Sequence, residues 1–198
     1  MLLVVTALAL VVSVPLAGGR LSRLVDIRVR GIWAVLLAVA IQVGITTVVP
    51  GGSHWVHAAL HLASYGLDAY FVFVNRRLAG VPVVAFGAAL NLLAITVNRG
   101  VMPASAVALR ISGVDPRAGF DNSAALAHPH LAFLGDVIPV PGPWPIGNVL
   151  SAGDLIIFIG ALIVLHHACG SRLFSRRRAQ VTESARISPD ARGSTAEI

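Results

Sequence analysis

Charge is scarce in this chain. Only 12% of its 198 residues are charged, about half the share of an ordinary soluble domain. Lysine is absent altogether, so all 15 basic residues are arginines, and with the abundance of Ala, Val and Gly this fits a GC-rich bacterial genome. The single cysteine, Cys169, excludes an internal disulfide and any cysteine-based metal cluster. Its expected role is that of a small apolar residue at a helix end. Aromatic residues make up just 6% and are not interleaved with the arginines. The net charge of +6 and the isoelectric point near 11.2 therefore make no nucleic-acid footprint. What fills the chain instead is apolar: 56% hydrophobic residues and a mean hydropathy of +0.81. A water-soluble globule could not cover such a composition with polar surface.

Five apolar stretches stand out. Residues 2–17 carry no charge, and Arg20, Arg23, Arg28 and Arg30 follow this run rather than precede it. Signal peptides place positive charge ahead of the apolar core, so a retained first helix with its N-terminus outside is expected. Residues 32–49 hold only Gln42 as a strongly polar residue, and Pro50-Gly51-Gly52 closes the stretch with turn chemistry. The third stretch is 56–74, the fourth is 81–97 with Asn91 inside it, and the last is 149–169. The expected fold class is an all-α polytopic transmembrane helix bundle of about five spans, one domain over residues 1–175. Residues 98–148 hold seven of the eleven prolines, which argues against another span. Short apolar stretches there predict short helices at the outer membrane face. Residues 176–198 are polar and aperiodic, and a disordered cytoplasmic tail is expected.

The arginines set the expected orientation, because cytoplasmic loops retain positive charge. With the N-terminus outside and the C-terminus inside, Arg20, Arg23, Arg28, Arg30, Arg76, Arg77, Arg172, Arg176, Arg177 and Arg178 fall on the inner side. Only Arg99, Arg110 and Arg117 fall outside. Trp33 and Trp55 sit at opposite ends of their stretches, where indoles settle among headgroups. The expected location is the bacterial cytoplasmic membrane, as a multi-pass protein.

Three stretches carry a family resemblance: AGGRLSRLVDIRVRGIWAVLLAVAIQ, LNLLAITVNRGVMPAS and LGDVIPVPGPWPIGNVLSAGDLIIFIGALIVL. In order and spacing they resemble the bacterial domain-of-unknown-function 5317 family of small multi-pass membrane proteins, over roughly residues 15–166. The resemblance implies a membrane architecture and no activity. A local pattern also resembles lipoprotein signal peptidase, an intramembrane aspartic protease. It consists of Asn98-Arg99-Gly100, then Asp136, then Ser151-Ala152-Gly153-Asp154 with Ile157 and Gly160. That likeness implies Asp136 and Asp154 as a catalytic pair oriented by Asn98, although no Gly-Asn-x-x-Asp-Arg motif surrounds Asp136.

The residues support two chemical constellations. Two carboxylates in a poorly solvated site cannot both ionise comfortably, so one holds a proton while the other can activate water. Asp136 and Asp154 would be such a pair. The bland reading is that Ser151 and Asp154 form a capping box at a helix start, with Asp136 bonding backbone amides in a turn. The second constellation is the stripe His54, His57, His61, Tyr65 and Asp68, which recurs at helical spacing and should face the bundle. His57 and His61, one turn apart, could ligate a metal ion or flank a haem, with His128 and His130 completing the site. The bland reading is polar glue between helices. Asp68 is expected to face the interior, protonated or paired. Asn91, Asn98 and Gly87 share one face of the fourth stretch, which suits close helix contact with interhelical hydrogen bonding.

No strong catalytic motif occurs. The expectation is therefore a non-enzymatic binding, transport or membrane-organising protein, with no cofactor. Its expected partners are membrane lipids, with a protein partner, a second copy of the chain or a small-molecule ligand left open. An aspartyl hydrolase is the first alternative, and a haem- or metal-binding protein the second.

Overall fold

The computed structural model describes residues 2–44, 54–114, 123–142 and 147–173. The chain divides into two compact units. One comprises residues 1–6 and 28–164, and the other residues 7–27 and 165–198.

The larger unit is built on α2 (Ile32–Val43), α3 (His54–Asn75) and α4 (Val81–Val97). Helix α1 (Leu2–Leu16) begins in this unit. α2 and α3 pack against each other. Trp33 and Tyr70 meet with ring centroids 5.7 Å apart, and Gln42 donates to the Ser64 hydroxyl at 2.7 Å. Asn75, almost fully buried, fixes the entry to α2: its Oδ1 accepts from the Arg30 N–H, and its Nδ2 donates to the carbonyls of Arg30 and Phe71. Pro82 lies in the first turn of α4, where a missing N–H costs nothing. Beyond that helix, Arg99 and Gly100 take left-handed conformations that stop it.

Four short strands and a short helix follow. β1 (Met102–Pro103) pairs in parallel with β2 (Ser123–Ala124). α5 (Ala106–Ser112) is capped by Ser105 and ends on left-handed Gly113. β3 (Ile138–Val140) pairs antiparallel with β4 (Asn148–Leu150), with Ile138 opposite Leu150. α6 (Ala152–Ala168) then begins within the larger unit and continues into the smaller one.

α4 and α6 approach within backbone contact because glycines face each other. A Cβ at Gly87 would lie 2.6 Å from the Gly153 carbonyl oxygen and 2.9 Å from the Ile157 nitrogen. A Cβ at Gly160 would lie 2.6 Å from the Val84 nitrogen. Gly153 and Gly160 lie seven residues apart, two turns along one face of α6, and meet Gly87 of α4 and Gly80 at its N-cap.

The smaller unit contains a 3-10 helix over Leu21–Asp26 and the paired turns that follow α1 and α6. The Arg20 N–H donates to the Cys169 carbonyl at 3.0 Å, and the Arg172 N–H donates to the Ala17 carbonyl at 2.9 Å. His166 is fully buried between two hydroxyls, with Ser13 at 2.9 Å from Nε2 and Ser171 at 2.9 Å from Nδ1. The Ser13 hydroxyl spends its proton on the Leu10 carbonyl. It therefore accepts from Nε2–H, and Ser171 donates to Nδ1.

The five-span bundle expected from the sequence is overturned. Among the described residues no helix is both long and apolar enough to cross a membrane. The reasons are local. α1 has 15 residues and α4 and α6 have 17 each, so they reach about 22–26 Å at 1.5 Å per residue, short of a hydrocarbon core about 30 Å thick. α3, with 22 residues, is long enough, but Ser64, Tyr65, Asp68, Asn75 and three histidines dilute it. The last stretch, read as 149–169, loses its first residues to β4 and to the Ser151 cap. The segment 98–148 does hold short helices, α5 and a 3-10 turn at Ala132–Leu134, but strands join them. The expected tail, 176–198, lies outside the described residues.

The glycine contact yields a paired prediction. Gly87→Ala should lower thermal stability measurably, since the new methyl has no room. Gly66→Ala, on α3 with nothing within 4 Å, should raise stability by about 0.5–1 kcal/mol. Thermal unfolding of both purified variants checks this, and a neutral Gly87→Ala would contradict the contact.

Candidate functional site

The start of α6 is organised by three side chains. The Ser151 hydroxyl accepts from the Asp154 N–H at 2.9 Å, and Asp154 Oδ2 accepts from the Ser151 N–H at 2.9 Å, a reciprocal capping box. Asn91 of α4 closes the ring: its Nδ2 donates to Asp154 Oδ1 at 2.8 Å, and its Oδ1 accepts from the Ser151 hydroxyl at 2.8 Å. Gly153 makes room for this, since a Cβ there would occupy the position of Asn91 Oδ1. Ser151 is fully buried. Both Asp154 oxygens are thus bonded, and its negative charge lies at the positive end of the helix dipole.

The β3–β4 hairpin returns Asp136 to this place. With Ile138 opposite Leu150, and the Val137 N–H donating to the Leu150 carbonyl at 3.1 Å, Asp136 falls beside the first residues of α6. Its backbone is clamped: its N–H donates to the Pro103 carbonyl at 2.8 Å, and its carbonyl accepts from the Ser105 N–H at 3.0 Å. Its Oδ2 accepts from the Ser123 hydroxyl at 2.6 Å. Burial pushes the Asp136 carboxyl up to about 6; the Ser123 bond pulls the other way, and the charge of Asp154 adds to the rise. The two carboxylates therefore stand within electrostatic reach but make no hydrogen bond with each other. Asp136 is the member of the pair whose proton is retained towards neutrality.

Asn98 serves elsewhere. Its Nδ2 donates to the carbonyls of Ala94 and His130, and its Oδ1 accepts from the His130 N–H, each at 2.8 Å. The amide thus copies a strand's pairing to hold the loop at His130, and it does not orient the carboxylates. On α3, Tyr65 is half-buried and Asp68 is exposed. Gln42 is tied to Ser64. His57 and His61 lie in α3, but their side chains fall outside the described part of the structure. Among the described residues no cluster of three or more His, Cys, Asp or Glu side chains is arranged to hold a metal ion.

Two polar anchors escaped the sequence reading. Asn75 sits beside the arginines that end α3 and reads there as part of a polar flank. His166 lies near the end of the last apolar stretch, where no pattern in the sequence marks it as a buried anchor.

Fold and site together describe a small helical protein in which a two-stranded hairpin lays one protonatable carboxyl against a capped helix start. The chain belongs to the Family of unknown function (DUF5317), which it matches over residues 26–166, the stretch holding Asn91, Asn98, Asp136, Ser151 and Asp154. An uncharacterised protein of Thermotoga maritima is 33% identical to it over 109 residues, 55% of this chain and 63% of that protein. The chain thus spans less than two thirds of that relative's length. No solved structure matches.

The Asp136 environment predicts a pH signature. A carboxyl whose folded pKa lies above its unfolded value, near 3.9, favours folding while protonated. Its contribution is fully present at acid pH and is lost as the pH rises through about 6. Its size is at most about 3 kcal/mol, from 1.36 kcal/mol per pKa unit. Thermal unfolding across this window should show wild type losing stability relative to Asp136→Asn as the pH rises. Parallel curves would refute the burial of that carboxyl.

Proposed function

We propose that this protein works by binding rather than by covalent chemistry, at the bacterial cytoplasmic membrane, with lipid covering the outer faces of its helices. The observation that carries this reading is an inverted burial pattern. The buried hydrophobic residues are mostly small, among them Ala34, Ala38, Ala94, Ala108 and Cys169. The large ones point outward: Leu8 is 60% exposed, Leu36 64%, Leu62 72%, Phe73 62% and Phe86 59%. In water such faces would cost roughly 1.5–3 kcal/mol per large side chain left unburied, whereas lipid removes that cost and leaves small residues to mediate helix contact. The reading asks only that these faces meet lipid. No cofactor enters it.

The test is fractionation of cells expressing the full chain, followed by an alkaline carbonate wash of the membranes. The protein should stay in the pellet. Recovery in the soluble fraction, well dispersed, would end the proposal.

A second reading, an aspartyl hydrolase using Asp136 and Asp154, draws on one observation: the hairpin brings the two carboxylates within electrostatic reach. Against it, both Asp154 oxygens are already bonded to Asn91 and Ser151. Genetic complementation separates the two readings. The binding reading expects Asp136→Asn to retain cellular function at unchanged protein level, whereas a hydrolase would lose it in both Asp136→Asn and Asp154→Asn.

A further inference from the structure

We propose that the smaller unit is a docking surface for anionic phospholipid headgroups, formed where the turns after α1 and α6 pair; this rests on the lipid reading above and names the lipid class it recognises. The two backbone bonds between these turns, Arg20 N–H to Cys169 O and Arg172 N–H to Ala17 O, bring three arginines together. Each turn offers a glycine as a bare floor for the other's arginine. The Arg23 guanidinium occupies the space a side chain at Gly170 would take, and the Arg172 Nε lies 3.0 Å from where a Cβ at Gly18 would be. Both glycines are left-handed, with φ of 61° and 72°, so a side chain is disfavoured there on two counts.

Charge and hydropathy on this surface suit a bilayer interface. Asp26 is the sole described carboxylate of the unit, and Arg20 and Arg23 are both exposed. In the 3-10 helix, residues three apart eclipse, so Leu21 and Leu24 form one row and Arg23 and Asp26 another, while Arg20 stands at the extended N-cap. Beside the arginines, Val25 is 89% exposed, Leu16 82% and Leu173 62%. Greasy side chains next to the exposed Arg20 and Arg23 fit the boundary where acyl chains meet phosphates. A guanidinium there supplies positive charge where anionic headgroups lie. A protein partner would have to bring acidic residues into an equally apolar frame, whereas an anionic bilayer supplies both together.

Synthesis of the full chain in a cell-free system with preformed vesicles, followed by flotation, tests this. Wild type should float with phosphatidylcholine vesicles and more strongly with vesicles that also contain phosphatidylglycerol, and salt should weaken the difference. Arg20→Gln with Arg23→Gln should reduce the phosphatidylglycerol preference by about 5-fold per arginine, while flotation on neutral vesicles stays unchanged. Arg20→Lys with Arg23→Lys should keep most of the preference, which separates lost charge from lost folding. Equal flotation on both vesicle types, or a preference untouched by the glutamine substitutions, overturns this proposal and leaves the lipid reading standing. Failure to float with either vesicle overturns both.

Discussion

The described architecture of the larger unit depends on how closely α4 and α6 approach. Helix axes usually keep 8–10 Å apart because side chains stand between them, but here Gly87 faces Gly153, Gly160 faces Val84, and backbone meets backbone. That closeness lets a side chain as short as Asn91 reach the first turn of α6 and bond both Ser151 and Asp154. The helix start so fixed is where β4 ends, and the hairpin partner of β4 carries Asp136 in at the side. A bulkier residue at Gly153 would displace the Asn91 amide and, through it, the relation between the two carboxylates.

Two carboxylates thereby acquire different roles from different surroundings. Asp154 is surrounded by donors and a helix dipole and acts as a cap. Asp136, with one hydroxyl donor and a carboxylate for a neighbour, is left to titrate. The same economy of polar groups runs through the rest of the chain: Asn75, Asn98 and His166 are each buried with their hydrogen-bonding atoms matched, as burial demands. Large apolar side chains are meanwhile left on the outside, so the chain spends its polar groups internally and its greasy ones on whatever surrounds it.

Much of this was legible in local pattern. Residues 81–97 read as one helix because the apolar run is broken only by Asn91. The shared face of Gly87 and Asn91 signalled close helix contact, and Ser151 with Asp154 signalled a cap. The strands were not legible. Ile138-Pro139-Val140 and Asn148-Val149-Leu150 are three residues each, too short for alternation to register, and their pairing is set by tertiary contact. Missing β4 made the last helix too long on paper, and reading apolar runs at full length without their caps produced the five-span expectation. Asn98 shows the matching difficulty at the site: a motif likeness placed it with Asp136 and Asp154, while its amide geometry binds it to His130.

Asn91 and Asp154 join α4 to α6 across a glycine contact. A double-mutant cycle with Asn91→Ala, Asp154→Ala and the combined variant, followed by thermal or chemical unfolding, measures that bond directly. A hydrogen bond to a charged group predicts a coupling of about 1.5–3 kcal/mol. Additive effects of the two substitutions, with no coupling between them, would contradict the account.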